Sequence, residues 1–242
     1  MKLDILAFGV HPDDVELGCS GTLLSAIQEG KRVGIIDLTQ GELGTRGTIH
    51  TRNAEATAAA QVLGVSIREN LKMADGFFQN DEAHQRLIIT AIRKYNPEII
   101  LCNAPEDRHP DHGRSAKLVT DAAFLSGLRK IETFREGELQ TAWRPKYVFH
   151  YIQDRFIQPS FVIDISQHFE KKLESVLCYK TQFMATDENE PQTYISSPEF
   201  IEGIRGRALL LGKRIGVKYA EGFISEKVLG VRSMDAFVQN VT

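Results

Sequence analysis

Short apolar runs alternate with amphipathic stretches through residues 1–130. Leu3–Val10 is an apolar run ended by His-Pro, and Arg32–Thr39 is a second; both read as buried strands. Between them, Cys19–Glu29 carries Leu23, Leu24 and Ile27 at helical spacing, and Gly30 stops it. Gln40–His50 is polar and glycine-rich, hence a loop, and Thr51 reads as the N-cap of an alanine-rich helix to Leu63. Ser66–Met73 is a weaker third strand. A helix opened by Asn80 and Asp81 runs to Tyr95, where Asn96-Pro97 breaks it. Glu98–Cys102 is a fourth strand, followed by a helix from His112 to Leu128. This alternation predicts right-handed βαβ units. The expected fold class is α/β: a Rossmann-like, mostly parallel sheet sandwiched by helices, with a C-terminal α/β elaboration. In that elaboration Tyr147–Ile152 and Phe161–Ile165 read as strands, and Phe169–Gln182 and Glu199–Val217 as helices. No repeat or linker interrupts the chain. Residues 1–242 are therefore read as one domain, with 1–130 the Rossmann-like half and 131–242 shaping the pocket.

Composition narrows the function. The 242 residues are 42% hydrophobic and 25% charged, ordinary for a soluble domain. A formal net charge of -3 gives no general basic surface for nucleic acid. The three cysteines form no C-x-x-C pair and are odd in number, which points to a reducing compartment. The first residues lack the pattern of a signal peptide, and no apolar run reaches the length of a membrane span. The expectation is a cytoplasmic protein without a membrane or nucleic-acid partner.

Metal-capable side chains concentrate in two places. His11-Pro12-Asp13-Asp14 follows the first strand, and His109-Pro110-Asp111-His112 follows the fourth. In a sheet of order 3-2-1-4-5 those strands are neighbours, and ligands bind in the crevice at their carboxyl ends. Two loops far apart in sequence then face each other across one cleft. Two histidines and a carboxylate with an open coordination position form a catalytic zinc set. His11 and Asp14 come from one turn, and one of His109 and His112 completes the set. Zinc lowers the pKa of bound water from about 15.7 to about 7, and Asp13 stands ready to take the proton. One such segment alone would be an ordinary Asp-Pro turn; two at facing strand ends are a different matter.

FGVHPDDVELG (8–18) and EDRHPDHGRSA (106–116), in this order and context, resemble the LmbE-like, or PIG-L, family of zinc deacetylases. YKTQF (179–183) and YAEGF (219–223) extend the resemblance toward the C-terminus. Within the family the chain most resembles the deacetylases of N-acetylglucosaminyl malate in bacillithiol biosynthesis. The resemblance implies His11, Asp14 and His112 as zinc ligands and Asp13 as general base; by its chemistry the same ligand set also suits Fe2+. It implies that a protonated His109 stabilises the oxyanion, that Asp111 orients and charges that histidine, and that Arg52 lies at the substrate mouth. It also implies a small N-acetyl amino-sugar substrate and a homo-oligomer. Thr181 stands where the family carries serine.

Other residues carry weaker signals. Glu16 suits either support of the metal site or the first turn of a helix. Arg46 and Arg108 suit an anionic group, against a default of solvated arginine. Tyr194 lies in a polar segment, Asp187–Ser197, of the kind that covers a cleft. Cys19 and Cys102 read as small core residues. Two rival classes are a non-haem iron oxygenase, which shares the ligand set but leaves Asp13 without a role, and an inactive metal-binding module. A nucleotide-binding dehydrogenase is disfavoured, because the first turn lacks the glycines that admit pyrophosphate.

Overall fold

Alternation along the first strands divides the core between two faces of a sheet. In β1 (Ile5–Gly9) Leu6 and Phe8 join one apolar cluster, and Ala7 joins the other. In β2 (Val33–Thr39) Ile36 and Leu38 go to the first cluster, and Val33 and Ile35 to the second. This is the two-residue period of a strand covered on both sides. The structure, a computed structural model, describes residues 1–184 and 191–238.

The covering helices follow in order. α1 (Asp14–Gln28), α2 (Ile49–Leu63) and α5 (Phe169–Leu177) pack together, with Val15, Cys19 and Leu23 of α1 set against the second cluster. α3 (Glu82–Tyr95) and α4 (Pro110–Leu125) cover the opposite face through Ile88, Ile92, Leu118 and Val119. β3 (Ile67–Met73), β4 (Ile99–Cys102), β7 (Tyr147–Tyr151), β8 (Phe161–Asp164) and β9 (Ala220–Ser225) complete a seven-stranded sheet of order β3-β2-β1-β4-β7-β9-β8. Its first five strands are parallel, and β9 runs antiparallel to both neighbours. β5 (Phe134–Arg135) and β6 (Glu138–Leu139) form a small separate hairpin. α6 (Lys180–Phe183) and α7 (Pro198–Lys213) lie in the C-terminal part.

The expected α/β class and the 3-2-1-4 order hold, and several boundaries move. α1 begins at Asp14 rather than Cys19, and α4 at Pro110 with His109 as its N-cap. The N-cap of α2 is Thr48; Thr51 is its reciprocal partner in a capping box. The helix expected over Phe169–Gln182 is broken into α5 and α6. Strand β9 is not marked by the apolar pattern, because buried Glu221 interrupts it. Cys19 and Cys102 are buried, as expected. Among the described residues no helix is long and apolar enough to cross a membrane.

Glu221 has a structural task. Its carboxylate accepts the amides of Gly21 (3.0 Å) and Thr22 (2.7 Å) in the middle of α1. Lys172 of α5 pairs with it at 2.7 Å and donates to the carbonyls of Glu16 (3.0 Å) and Leu17 (2.8 Å). One buried ion pair thus fastens α1, α5 and β9, and losing either partner would leave an uncompensated charge. Close approach to the sheet is set by Gly18. A Cβ there would overlap the ring of Tyr151, which is fully buried and donates its hydroxyl to Phe8 O at 2.9 Å. Gly18→Ala should lower stability by about 1–3 kcal/mol through overpacking. An unchanged midpoint in urea unfolding would contradict this packing.

Candidate active site

Chain geometry at the end of β1 places two aspartates side by side. Asp13 adopts φ 140°, a conformation costly for a side chain with a Cβ and typical of functional turns. Asp14 is the first residue of α1, and its carboxylate turns back into the cleft. Oδ2 accepts the His11 amide (3.0 Å) and Asn103 Nδ2 (2.9 Å); Oδ1 accepts Gln153 Nε2 (2.9 Å). Asn103 follows β4 and Gln153 follows β7, so the ends of three adjacent strands converge on one buried carboxylate.

Two imidazoles flank that carboxylate. His112 Nε2 lies 3.2 Å from Asp14 Oδ1, and its Nδ1 lies 2.5 Å from Asp107 Oδ2. His11 Nδ1 lies 3.6 Å from Asp14 Oδ2, and its Nε2 lies 3.0 Å from Asp75 Oδ1. Each ring therefore has a carboxylate at both nitrogens. Burial opposes charge on His11, but Asp14 and Asp75 outweigh it and hold its pKa at about 10. His112 follows the same logic: burial opposes charge, and Asp14 and Asp107 hold its pKa at about 9. Burial works against the Asp14 anion, yet His112 and His11 keep its pKa well below the ordinary value. His109 brings a third imidazole, with one ring nitrogen from each of the three within 4.8 Å of the others.

Asp13 lines the same cavity. Its Oδ2 takes Arg52 Nη1 at 2.9 Å, and the same guanidinium nitrogen donates to Pro12 O at 2.8 Å. Burial lifts the Asp13 carboxyl to about 7, against the opposing pull of Arg52. His109 and Asp111 meet differently from the expectation. The Asp111 carboxylate is fully buried and engaged by Arg114 Nη1 (2.6 Å) and the Gly76 amide (2.8 Å). It reaches His109 through its backbone: the Asp111 N–H donates to His109 Nδ1 at 3.3 Å. A nitrogen that accepts this bond carries no proton, so the ring proton sits on Nε2 and the imidazole is neutral. Burial, then His11 and His112, lower the His109 pKa in keeping with that form.

The remaining expected residues lie farther along a cavity of about 310 Å³. Arg52, Arg108 and Tyr194 all line it. Arg108 Nε lies 3.5 Å from Asp154, and its guanidinium sits 4.5 Å from the centre of the Tyr194 ring. Tyr194 donates its hydroxyl to Asp154 Oδ1 at 3.0 Å. Of the segment Asp187–Ser197, Asp187–Glu190 lie outside the described residues. Arg46 turns away from the cleft, donating to the Met184 carbonyl at 2.5 Å. Glu16 makes no contact with His11 or His112; its Oε1 takes Arg68 (2.5 Å) and Tyr179 (3.1 Å) beneath the cleft. Asp75, Asn103 and Gln153 belong to no motif of the sequence, and Asp107, though inside the second motif, carries no signal of its role there.

Two groups of side chains here have the chemistry to hold a cation: His11, His109 and His112, and His11, Asp75 and Asp111. Asp14 adjoins the first, 3.6 Å from His11 Nδ1 and 3.2 Å from His112 Nε2. The far nitrogen of each imidazole meets a carboxylate, the arrangement that fixes a metal-binding histidine and raises its basicity.

Comparison with known proteins agrees. The sequence pattern of the GlcNAc-PI de-N-acetylase (PIG-L) family matches residues 6–123. "Uncharacterized deacetylase YaiS" of Escherichia coli is 34% identical over 57% of this chain and 75% of its own length. The chain belongs to the PIG-L family. The family is metal-dependent, and several relatives of this chain bear the names of deacetylases. "Diacetylchitobiose deacetylase" of Thermococcus kodakarensis is 29% identical, over 90% of this chain and 81% of its own. "Probable N-acetyl-alpha-D-glucosaminyl L-malate deacetylase 2" of Bacillus anthracis is 23% identical, over 72% and 78%. Among solved PIG-L-like folds, the crystal structure of a conserved protein from Thermus thermophilus superposes with a TM-score of 0.84. It is 35% identical and covers 95% of this chain and 98% of that one.

A metal at Asp14 would be backed by two carboxylates. Asp107→Asn and Asp75→Asn should each weaken zinc affinity by roughly 10–100-fold, read by competition with a chromogenic chelator. Wild-type affinity in both variants would contradict the assignment.

Proposed function

We propose that the protein is a zinc-dependent N-deacetylase that frees the amine of an N-acetylglucosamine conjugate, and that the conjugate is N-acetylglucosaminyl malate of bacillithiol biosynthesis. The observation that carries the reading is the pair of imidazoles flanking Asp14, each backed by a second carboxylate, with Asp13 next in the chain. Relatives that bear the names of amino-sugar deacetylases support the substrate class.

His11, Asp14 and His112 would hold the metal. Bound there, it supplies a Lewis acid that polarises the acetamide and makes water acidic near neutral pH. The chain supplies the proton traffic. Arg52 fixes Asp13 Oδ2, which leaves Oδ1 for the attacking water. Water adds to the acetyl carbon, and its proton passes to Oδ1. Asp13 then gives the proton to the nitrogen as the C–N bond breaks, and acetate and a free amine result. The raised Asp13 pKa of about 7 suits a group that must both take and return a proton near neutrality. His109 keeps its proton on Nε2 and donates it as a hydrogen bond to the developing oxyanion, a role worth roughly 10²–10³ in rate. Asp111 orients that ring through its amide.

Amine release from N-acetylglucosaminyl malate and from N,N'-diacetylchitobiose, with zinc-loaded protein and a chelator control, tests the proposal. Chelator-sensitive release favouring the malate conjugate is expected. Asp13→Ala should keep its metal and lose roughly 10²–10⁴ in turnover, and His112→Ala should lose both. Preference for the chitobiose would discard the malate assignment; full metal occupancy in His112→Ala would discard the ligand set.

A further inference from the structure

Three arginines line the substrate cavity, and two of them are engaged. Arg52 is bound to Asp13 and to Pro12 O. Arg108 stacks on Tyr194 beside Asp154. Arg207, on α7, is only partly exposed, and among the described residues it makes no hydrogen bond and no ion pair within 4.0 Å. It lies between the substrate cavity and a small neighbouring cavity of about 10 Å³, whose wall includes Lys172 and Glu221.

The carboxylates that act on Arg207 from a distance are Asp154, Asp107 and Glu221. Each is already committed. Asp154 accepts the Tyr194 hydroxyl at 3.0 Å. Asp107 accepts His112 and the amides of Asp154 (3.1 Å) and Arg155 (2.8 Å). Glu221 is taken by Lys172 and by the amides of Gly21 and Thr22. Burial consequently prevails and lowers the Arg207 pKa despite these anions. A half-buried guanidinium that faces the cavity without a bound anion offers its planar fork to a carboxylate.

We propose that Arg207 is a specificity-determining residue that binds a carboxylate on the aglycone of the N-acetyl amino-sugar substrate. The assignment rests on the deacetylase reading for the rest of the substrate. It places the acetamide at Asp13 and Asp14, and the anionic group under α7, in one continuous cavity. It also predicts selectivity by charge, which a site for neutral oligosaccharides would not need.

The test compares N-acetylglucosaminyl malate with its neutral dimethyl ester, using zinc-loaded wild type and Arg207→Gln. Wild type should prefer the diacid in kcat/KM by roughly 10-fold or more, the worth of a hydrogen-bonded charge. Arg207→Gln should bring that ratio close to one, mainly through KM. No preference in the wild type, or an unchanged ratio in Arg207→Gln, overturns the proposal. Should Arg207→Gln fail to fold, Arg207→Lys carries the test, since a point charge without the fork should cut the ratio; an undiminished ratio overturns it. If neither compound is hydrolysed, the deacetylase reading fails, and calorimetric binding of the same two compounds decides separately. Diacid binding that weakens in the Arg207 variant then supports the anion site, and equal binding of both compounds overturns it.

Discussion

The buried carboxylate of Asp14 is the constraint around which the cleft is organised. An ionised group out of water is tolerated only if its oxygens are fully engaged. Here a backbone amide and two side-chain amides supply neutral donors, and His11 and His112 supply the charge. The two side-chain amides belong to Asn103 and Gln153, at the ends of β4 and β7. Their reach depends on β1, β4 and β7 being neighbours in that order. Sheet topology, the turn at Asp13 and the protonation of the two imidazoles are thus one linked arrangement. A metal cation at Asp14 would take the place of the protons that otherwise lie between these imidazoles and the carboxylate.

Around that centre the two halves of the chain divide the work. The parallel strands and their loops carry His11, Asp13, Asp14, His109 and His112, to which the proposed reading gives the chemistry. The C-terminal part brings walls, with Tyr194, Phe200 and Arg207 all lining the cavity. β9 closes against β7 and carries Glu221 back to α1, so the C-terminal strands and the helix that begins at Asp14 are mechanically joined. One buried ion pair, Lys172 with Glu221, thus joins the C-terminal part to the helix that begins at Asp14.

Much of this is legible in the sequence, and the reasons differ by residue. Apolar runs and breaker residues mark the parallel strands, because each strand is short and covered on both faces. The paired His-Pro-Asp segments mark the cleft, because strand order alone brings their ends together. Asp75 and Gln153 lie in segments without a motif and join the site only through tertiary contact. β9 escapes detection because its second position carries a buried glutamate whose partners, on α1 and α5, lie about 50 to 200 residues away. The charging of His109 by Asp111 looks natural from their adjacency. In the fold Arg114 and the Gly76 amide bind that carboxylate, which acts on the ring as a nearby charge while its backbone amide donates to Nδ1.

The central claim is that two imidazoles and Asp14, and not three imidazoles, hold the metal. Zinc-edge X-ray absorption on the loaded protein tests it most directly. The account predicts two imidazole nitrogens at about 2.0–2.1 Å with the rest of the first shell oxygen, and an unchanged imidazole count in His109→Ala. Three imidazoles in the wild type, falling to two in His109→Ala, would contradict it.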